Sequence, residues 1–214
     1  MELPLRLWAL PVTDVRQFFA APPAETERLT TLAKPLLAPI APPASPGLLG
    51  KLGPITKKHP ALPVITPGVP NYHDLTCLLA GRYVEANRLS AAWRIMVAWL
   101  DGSAGGRATI GLDPASLDQL EFDLGRCEVP YDVSIRRLWG HTLEIPLQPL
   151  PNQHVGYLPA DHVSRLDAEW RRARADLEET SLPFVDAVLA FTTAIVRPAE
   201  IPDRPLSDLV ASWI

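Results

Sequence analysis

The clearest hydrophobic pattern in the chain lies within residues 71–102. There, apolar residues recur at helical spacing on one face: Leu89, Ala92, Trp93, Met96, Val97 and Leu100. Further apolar residues spread around the rest of the same segment, which is typical of a helix buried in a core. The pattern predicts a central buried helix over 87–100. A shorter helix is expected before it, with Asn71 and Asp74 in a capping box at its start and Gly81 at its end.

The patterns on either side of this stretch predict a mixture of helices and strands. Strands are expected over 3–10, 107–112 and 155–158, and the alternation within 128–147 predicts a hairpin that turns at residues 139–141. Helices are expected over 14–20 (capped by Thr13), 25–33, after Asp113, 159–179, 181–196 and 206–214 (capped by Ser207). The predicted fold is therefore α+β: a single helix-rich domain over 1–214 with a small, mainly antiparallel sheet.

Proline is concentrated in one part of the chain, since twelve of the 24 prolines lie between Pro22 and Pro70. Proline lacks a backbone N–H and biases the residue before it toward extended conformations, so no regular helix or central strand is expected there. The apolar residues scattered through the segment are too many for a free linker. Residues 34–70 are therefore predicted to form a proline-rich arm packed on the surface of the domain.

Composition narrows the function classes. A net charge of −4 argues against nucleic acid or an anionic membrane as partner, and no uncharged apolar stretch reaches the ~18 residues that span a bilayer. Two cysteines make no disulfide framework, which predicts reduced thiols and a cytoplasmic location. No nucleotide-binding glycine motif is present and no cofactor is predicted. The preference for arginine over lysine indicates a bacterial coding bias rather than phosphate recognition.

One short segment holds the only reactive side chains with useful spacing. His73 and Cys77 are four residues apart on a predicted helix, so they share a face and could contact one metal ion. Two ligands are too few for a metal site. The remaining candidate ligands are His59, His141, His154 and Asp101, and their spacing along the chain does not show which of them would complete the site. His73 and Asp74 also match the His-Asp pair of metal-dependent phosphohydrolases. His73, Asp74 and Cys77 are therefore candidate catalytic residues, with no metal assigned and the question of enzyme activity open.

A second candidate site surrounds Trp139. Four of the other tryptophans lie in periodic elements and are expected in the core, whereas Trp139 falls in a predicted turn. Arg136, Arg137 and His141 flank it. Aromatic and arginine side chains are enriched in binding surfaces, so Arg136, Arg137, Trp139 and His141 are predicted to contact a partner or ligand.

Two stretches, LWALPVTDVRQFF and VGYLPADHVSRLDAEW, resemble bacterial YfbM-like proteins, which include actinobacterial relatives of unknown function. The helix LSAAWRIMVAWLDG lies between them in the order that such proteins show. The resemblance implies an α+β fold and a bacterial source. It implies no activity and no site residues.

These observations favour a non-catalytic cytosolic protein that binds another protein, such as an accessory or immunity-like factor. Its partner is expected to be a different protein or a second copy of the chain in a homo-oligomer. The alternative is a metal-dependent hydrolase that uses His73 with Asp74 or Cys77. The metal content of the purified protein distinguishes the two hypotheses.

Overall fold

A four-stranded antiparallel sheet forms the middle of the fold in a computed structural model, which describes residues 3–37, 66–196 and 207–213. Its strands are β1 (Leu3–Ala9), β2 (Gly106–Leu112), β3 (His154–Leu158) and β4 (Leu209–Trp213). Their spatial order is β2-β1-β4-β3, so β1 and β4 lie in the centre. Together with the helices described below, this sheet confirms the predicted α+β class.

Strand β4 occupies a stretch for which the sequence pattern predicts a helix over 206–214, and that prediction is wrong. Leu209 pairs with Ala9 of β1 on one side and with Leu158 of β3 on the other. All five residues of β4 are buried. A short, continuously apolar run of this kind cannot be distinguished from a buried helix by its periodicity. Ser207 therefore precedes a strand instead of capping a helix.

Seven α-helices surround the sheet in the described ranges. They are α1 (Val12–Gln17), α2 (Pro23–Ala33), α3 (Tyr72–Leu79), α4 (Leu89–Ser103), α5 (Pro114–Arg126), α6 (Ala160–Ala173) and α7 (Leu182–Val196). The periodic segments thus form helices where their patterns predict them, although α6 ends sooner and α4 runs further than expected. The capping box of Asn71 and Asp74 is present at the start of α3. Most of the predicted arm, 38–65, lies outside the described residues.

The two faces of the sheet enter two separate hydrophobic cores. In β1, Leu5 and Leu7 point to one face and Trp8 points to the other, as the alternation of a strand requires. Helices α5, α6 and α7 cover the first face, and helices α1 to α4 cover the second. The fold therefore has three layers, and surfaces on α5 and on α4 lie on opposite sides of the sheet.

Residues 128–147 do not form a hairpin, so this prediction is wrong. The segment contains two 3-10 helices, Tyr131–Val133 and Ile135–Trp139, followed by irregular chain. Val133 and Ile135 are buried on the side of the sheet that α6 covers, whereas Leu143 and Leu147 are buried in the core on the opposite side. The indole N–H of Trp170 donates to the carbonyl oxygen of Val133 at 2.8 Å. Burial against a helix thus produces the same alternation that a half-buried strand would show.

The chain after the second 3-10 helix lies directly over β3 at Gly156. The N–H of Tyr157 donates to the carbonyl oxygen of His141 at 2.9 Å, and the N–H of His141 donates to that of Tyr157 at 3.3 Å. A Cβ atom on Gly156 would lie 2.5 Å from the carbonyl oxygen of Trp139 and would also overlap that of His141. Only glycine fits at this position, and its small size allows residues 139–141 to lie against the edge strand.

One carboxylate holds the starts of two helices on opposite faces of the sheet. The N–H of Val12, the first residue of α1, donates to Asp208 Oδ2 at 2.8 Å. The N–H of Ala160, the first residue of α6, donates to Asp208 Oδ1 at 3.0 Å. Thr13 lies inside α1, so the prediction that it caps this helix is wrong. A residue distant in sequence satisfies the N–H groups that a local cap would otherwise satisfy.

Candidate functional site

Helix α3 carries the three side chains that the sequence puts forward as a reactive cluster. The Sγ atom of Cys77 lies 3.6 Å from Nε2 of His73 on the outer side of the helix. Asp74 is directed into the protein and is only 2% exposed. The fold therefore brings His73 and Cys77 together and separates Asp74 from both.

Asp74 forms a buried ion pair with Arg88. The Nε atom of Arg88 donates to Asp74 Oδ1 at 2.9 Å, and Nη2 of Arg88 donates to Oδ2. Arg88 also donates to the carbonyl oxygens of Thr66 at 3.1 Å and Val69 at 2.8 Å. The N–H of Asn71 donates to Asp74 Oδ2 at 2.9 Å. The hydrogen bonds with Asp74 raise the pKa of Arg88 above its ordinary value. Both carboxylate oxygens are engaged, which makes this carboxylate a structural group.

The other candidate metal ligands lie on other elements. They are His154, the first residue of β3, His141, which pairs with Tyr157 of β3, and Asp101 on α4; His59 falls outside the described residues. Asp101 accepts a hydrogen bond from the indole N–H of Trp8 at 2.8 Å. Within the described ranges, no group of three or more histidine, cysteine, aspartate or glutamate residues is placed to hold a metal ion.

Cys127, at the end of α5, is the other potential nucleophile. Its thiol is partly buried, and burial raises the pKa of the Cys127 thiol above its ordinary value. A thiol with a raised pKa stays protonated at neutral pH and is a weak nucleophile. Both Cys77 and Cys127 are free thiols.

Of the four residues predicted to contact a partner, Arg137 and Trp139 are partly buried, whereas Arg136 and His141 are exposed. Trp139 stacks on Trp213, with ring centroids 5.8 Å apart and an angle of 17° between the ring planes. The ring of His154 lies 5.8 Å from Trp139 on the same cluster. His141 is exposed, and its ring lies 5.4 Å from that of Tyr157. Trp139, the last residue of the second 3-10 helix, is therefore partly buried against Trp213 at the end of β4.

The arginines of this group lie against α5 and the first 3-10 helix. Nη2 of Arg136 donates to Asp118 Oδ1 at 2.5 Å. The guanidinium carbon of Arg137 lies 4.2 Å from the centre of the Tyr131 ring, which is a cation–π contact. Among the residues that the structure describes, no carboxylate pairs with Arg137, and its Nε atom is buried without an acceptor. Arg137 is therefore held in place by an aromatic ring, and no carboxylate of the described residues neutralises its charge.

Two large aromatic side chains, one on α5 and one on the first 3-10 helix, are exposed to solvent. Phe122 and Tyr131 are each 66% exposed. Phe122 lies one turn after Asp118 on α5, so the two share a helix face. Asp118 thus connects the face of α5 that carries Phe122 to Arg136, while Arg137, the next residue in the chain, contacts Tyr131. These five residues are called the aromatic–arginine face below.

Sequence patterns single out the arginines of this face but not its aromatic residues. Phe122 could have been found, because it lies off the stripe of Leu117, Leu120 and Leu124 that predicts the inner side of α5. Tyr131 carries no comparable signal, since the residues around it alternate as they would in a strand. Its exposure and its contact with Arg137 follow only from the three-dimensional arrangement.

No helix in the described part of the chain is both long and apolar enough to cross a membrane. No protein-family model matches the chain, and neither a curated protein nor a solved structure is significantly similar to it. The resemblance of residues 7–19 and 155–170 to YfbM-like proteins therefore stays a prediction drawn from those two stretches.

Proposed function

We propose that this chain is a non-catalytic cytoplasmic protein, an accessory or immunity-like factor, that binds another protein through the aromatic–arginine face. The observation that carries the proposal is the exposure of Phe122 and Tyr131, at 66% each, together with the contact of Tyr131 with Arg137, which pairs with no carboxylate among the described residues. The two free thiols support a reducing compartment.

The aromatic residues supply the binding energy in this proposal. Large aromatic side chains are seldom left exposed as a group unless a partner covers them, and with arginine they dominate binding hot spots. Fully burying a phenylalanine side chain contributes up to about 3 kcal/mol. The Tyr131 ring is already partly fixed by its contact with Arg137, so it loses less conformational freedom on binding than a free side chain would.

The arginines define the chemistry of the partner. One side of the Arg137 guanidinium rests on Tyr131, while Asp118 already accepts from Arg136. Arg137 is therefore positioned to donate to a carboxylate that the partner supplies, since charge-assisted hydrogen bonds of this kind are strong. The partner is a different protein that presents a carboxylate next to an apolar surface. A second copy fits less well, because a two-fold contact brings the same arginines together and each chain carries a net charge of −4.

Affinity purification followed by titration tests the proposal. The tagged chain is used to capture binders from the organism that encodes it, and each candidate is then purified and titrated by calorimetry. Phe122→Ala and Tyr131→Ala are each expected to weaken binding by about tenfold or more. Tyr83→Ala is the matched control, because Tyr83 is also 66% exposed but follows α3; it is expected to leave the affinity unchanged.

The charge of Arg137 is tested separately. Arg137→Gln is expected to weaken binding and to reduce its dependence on salt, because the lost interaction is between charges. A partner that binds the Phe122→Ala/Tyr131→Ala double variant as tightly as the wild type contradicts the proposal. So does a chain that only associates with itself, or one for which no captured protein binds after purification.

The alternative, a metal-dependent hydrolase, has one observation in its favour. Nε2 of His73 and Sγ of Cys77 are 3.6 Å apart, and imidazole and thiolate are both zinc ligands. Asp74 is already engaged by Arg88 and Asn71, so further ligands must come from elsewhere. Stoichiometric zinc, manganese or iron that is lost in His73→Ala would favour the hydrolase. Protein that binds none of these metals would favour the binding protein.

A further inference from the structure

A cavity of about 400 Å³ lies between the sheet and α4, on the side of the sheet opposite the aromatic–arginine face. One wall is formed by residues of β1 and β4, and the other by one face of α4 that runs from Ser90 to Asp101. This volume is within the range of small-molecule sites in proteins. The cavity is large enough for an organic ligand.

The sheet side of the cavity is polar. Arg6 of β1 lies directly across from Ser212 of β4, and both line the cavity. The side-chain amide of Gln153 donates to the hydroxyl oxygen of Ser212 at 3.0 Å, and its oxygen accepts from the N–H of Leu150 at 2.8 Å. Gln153 and Ser212 are 7% and 4% exposed. These hydrogen bonds fix both side chains, while the Ser212 hydroxyl can still donate its own hydrogen.

Arg6 is one of the two cations that line the cavity. In the part of the chain that the structure describes, no carboxylate pairs with its guanidinium. Asp101 also lines the cavity but accepts from the indole N–H of Trp8 at 2.8 Å. Arg94, the third charged group, donates to the carbonyl oxygen of Gly68 at 2.9 Å. The two arginines and one aspartate give the lining a net charge of +1. The lining therefore favours a ligand with a single negative charge.

The helix side of the cavity carries apolar residues next to the polar Ser90, Arg94 and Asp101. Trp93 and Val97 of α4 face it, together with Leu36 and Leu150. The indole N–H of Trp93 donates to the carbonyl oxygen of Gln148 at 2.8 Å. The polar atom of Trp93 is therefore satisfied by the protein, and its ring is available for apolar contact. The cavity thus has hydrogen-bonding groups at Arg6 and Ser212 on the sheet and an apolar patch at Trp93 and Val97 on the helix.

We infer that this cavity binds a small organic monocarboxylate with an apolar body. The carboxylate accepts hydrogen bonds from Arg6 and Ser212, and the body packs against Trp93 and Val97. The planar guanidinium of arginine matches a carboxylate with two donors, which a neutral amide cannot exploit as well. The lining shares no residue with the aromatic–arginine face, so the inference stands independently of the proposed protein partner.

Calorimetric titration of the full chain tests the inference. The probes are butanoate, hexanoate, octanoate, phenylacetate and indole-3-acetate, each paired with its primary amide. At least one carboxylate is expected to bind saturably at one site, and its amide at least about tenfold more weakly. Arg6→Gln is expected to remove this preference. Arg107→Gln is the matched control, because Arg107 lies on the same sheet face in β2 but does not line the cavity; it is expected to bind as the wild type does.

Three results overturn the inference. They are the absence of saturable binding for every probe, equal affinity of the wild type for a carboxylate and its amide, and equal effects of Arg6→Gln and Arg107→Gln. The comparison of carboxylate with amide uses the wild-type chain alone. It therefore decides the question even if Arg6→Gln fails to fold.

Discussion

Asp74 and Arg88 connect the start of α3, the loop 66–70 and the start of α4 through one buried ion pair. The side chain of Asp74 is 1% exposed and that of Arg88 is 8% exposed. When one partner of such a pair is removed, the other charge remains buried without compensation, and this is more costly than losing the attraction itself. The residue that resembles a catalytic aspartate in the sequence thus has its main effect on stability.

Asp74→Ala is expected to lower the free energy of unfolding by about 3–5 kcal/mol, because it leaves Arg88 unpaired and also removes the capping box. Urea denaturation measures the change. His73→Ala, one position away but exposed, is expected to change it by less than about 0.5 kcal/mol. Equal midpoints for Asp74→Ala and the wild type would show that the ion pair does not hold these segments together.

Asp167 gives the fold a dependence on acid pH. This carboxylate of α6 accepts from the hydroxyl of Thr192 on α7 at 2.7 Å and from Nε of Arg171 at 2.8 Å. Burial alone raises the pKa of Asp167, but the hydrogen bonds from Arg171, Thr192 and Thr193 outweigh burial and bring the pKa below its ordinary value. A carboxyl whose pKa is lowered by folding stabilises the fold above its unfolded-state pKa of about 3.9, and this contribution is lost as pH falls through the folded-state pKa.

Asp167→Asn is therefore expected to be less stable than the wild type near neutral pH, with a difference that shrinks below about pH 4. Urea denaturation of both proteins at about pH 7 and about pH 3 measures this difference. A stability difference that is the same at both pH values would show that the ionised form of Asp167 does not support the contact between α6 and α7.

At the scale of elements, Asp208 links the two helical layers, because α1 and α6 begin at the same carboxylate. Asp208→Ala removes two helix caps and is expected to cost about 1–3 kcal/mol of unfolding free energy. Ser207→Ala, the neighbouring substitution, is expected to cost less than about 0.5 kcal/mol. Thermal and urea denaturation measure both. If the two variants lose equal stability, the shared cap is not the source of the effect.

The elements that the sequence predicts correctly are those whose pattern is local. Helix α4 repeats its apolar residues within fifteen positions, and the start of α3 is encoded by Asn71 and Asp74 alone. Strand β4 could not be predicted, because its place depends on pairing with β1, about two hundred residues earlier in the chain, and its fully buried residues show no alternation. Residues 131–139 show alternation but form no strand. Their apolar residues alternate because they are buried on the side of the sheet that α6 covers.

At the scale of the whole molecule, both candidate binding regions combine residues that are remote in sequence. Arg136 and Arg137 are singled out in the sequence by their residue type and their position beside Trp139. Phe122 of the same proposed face comes from α5. The cavity depends on Arg6 from the first strand and Ser212 from the last, whose approach only sheet pairing creates. No spacing along the chain predicts either arrangement. The sheet separates the two regions, so the proposed protein partner and the inferred ligand would not compete for the same residues.

The most direct test of the proposed function is amide hydrogen exchange of the chain alone and in complex with its purified partner. Binding through the aromatic–arginine face predicts slower exchange in α5 and in residues 131–137, and unchanged exchange in residues 72–83, which contain the equally exposed Tyr83. Protection confined to residues outside α5 and 131–137 would contradict the assignment of this face as the site of protein binding.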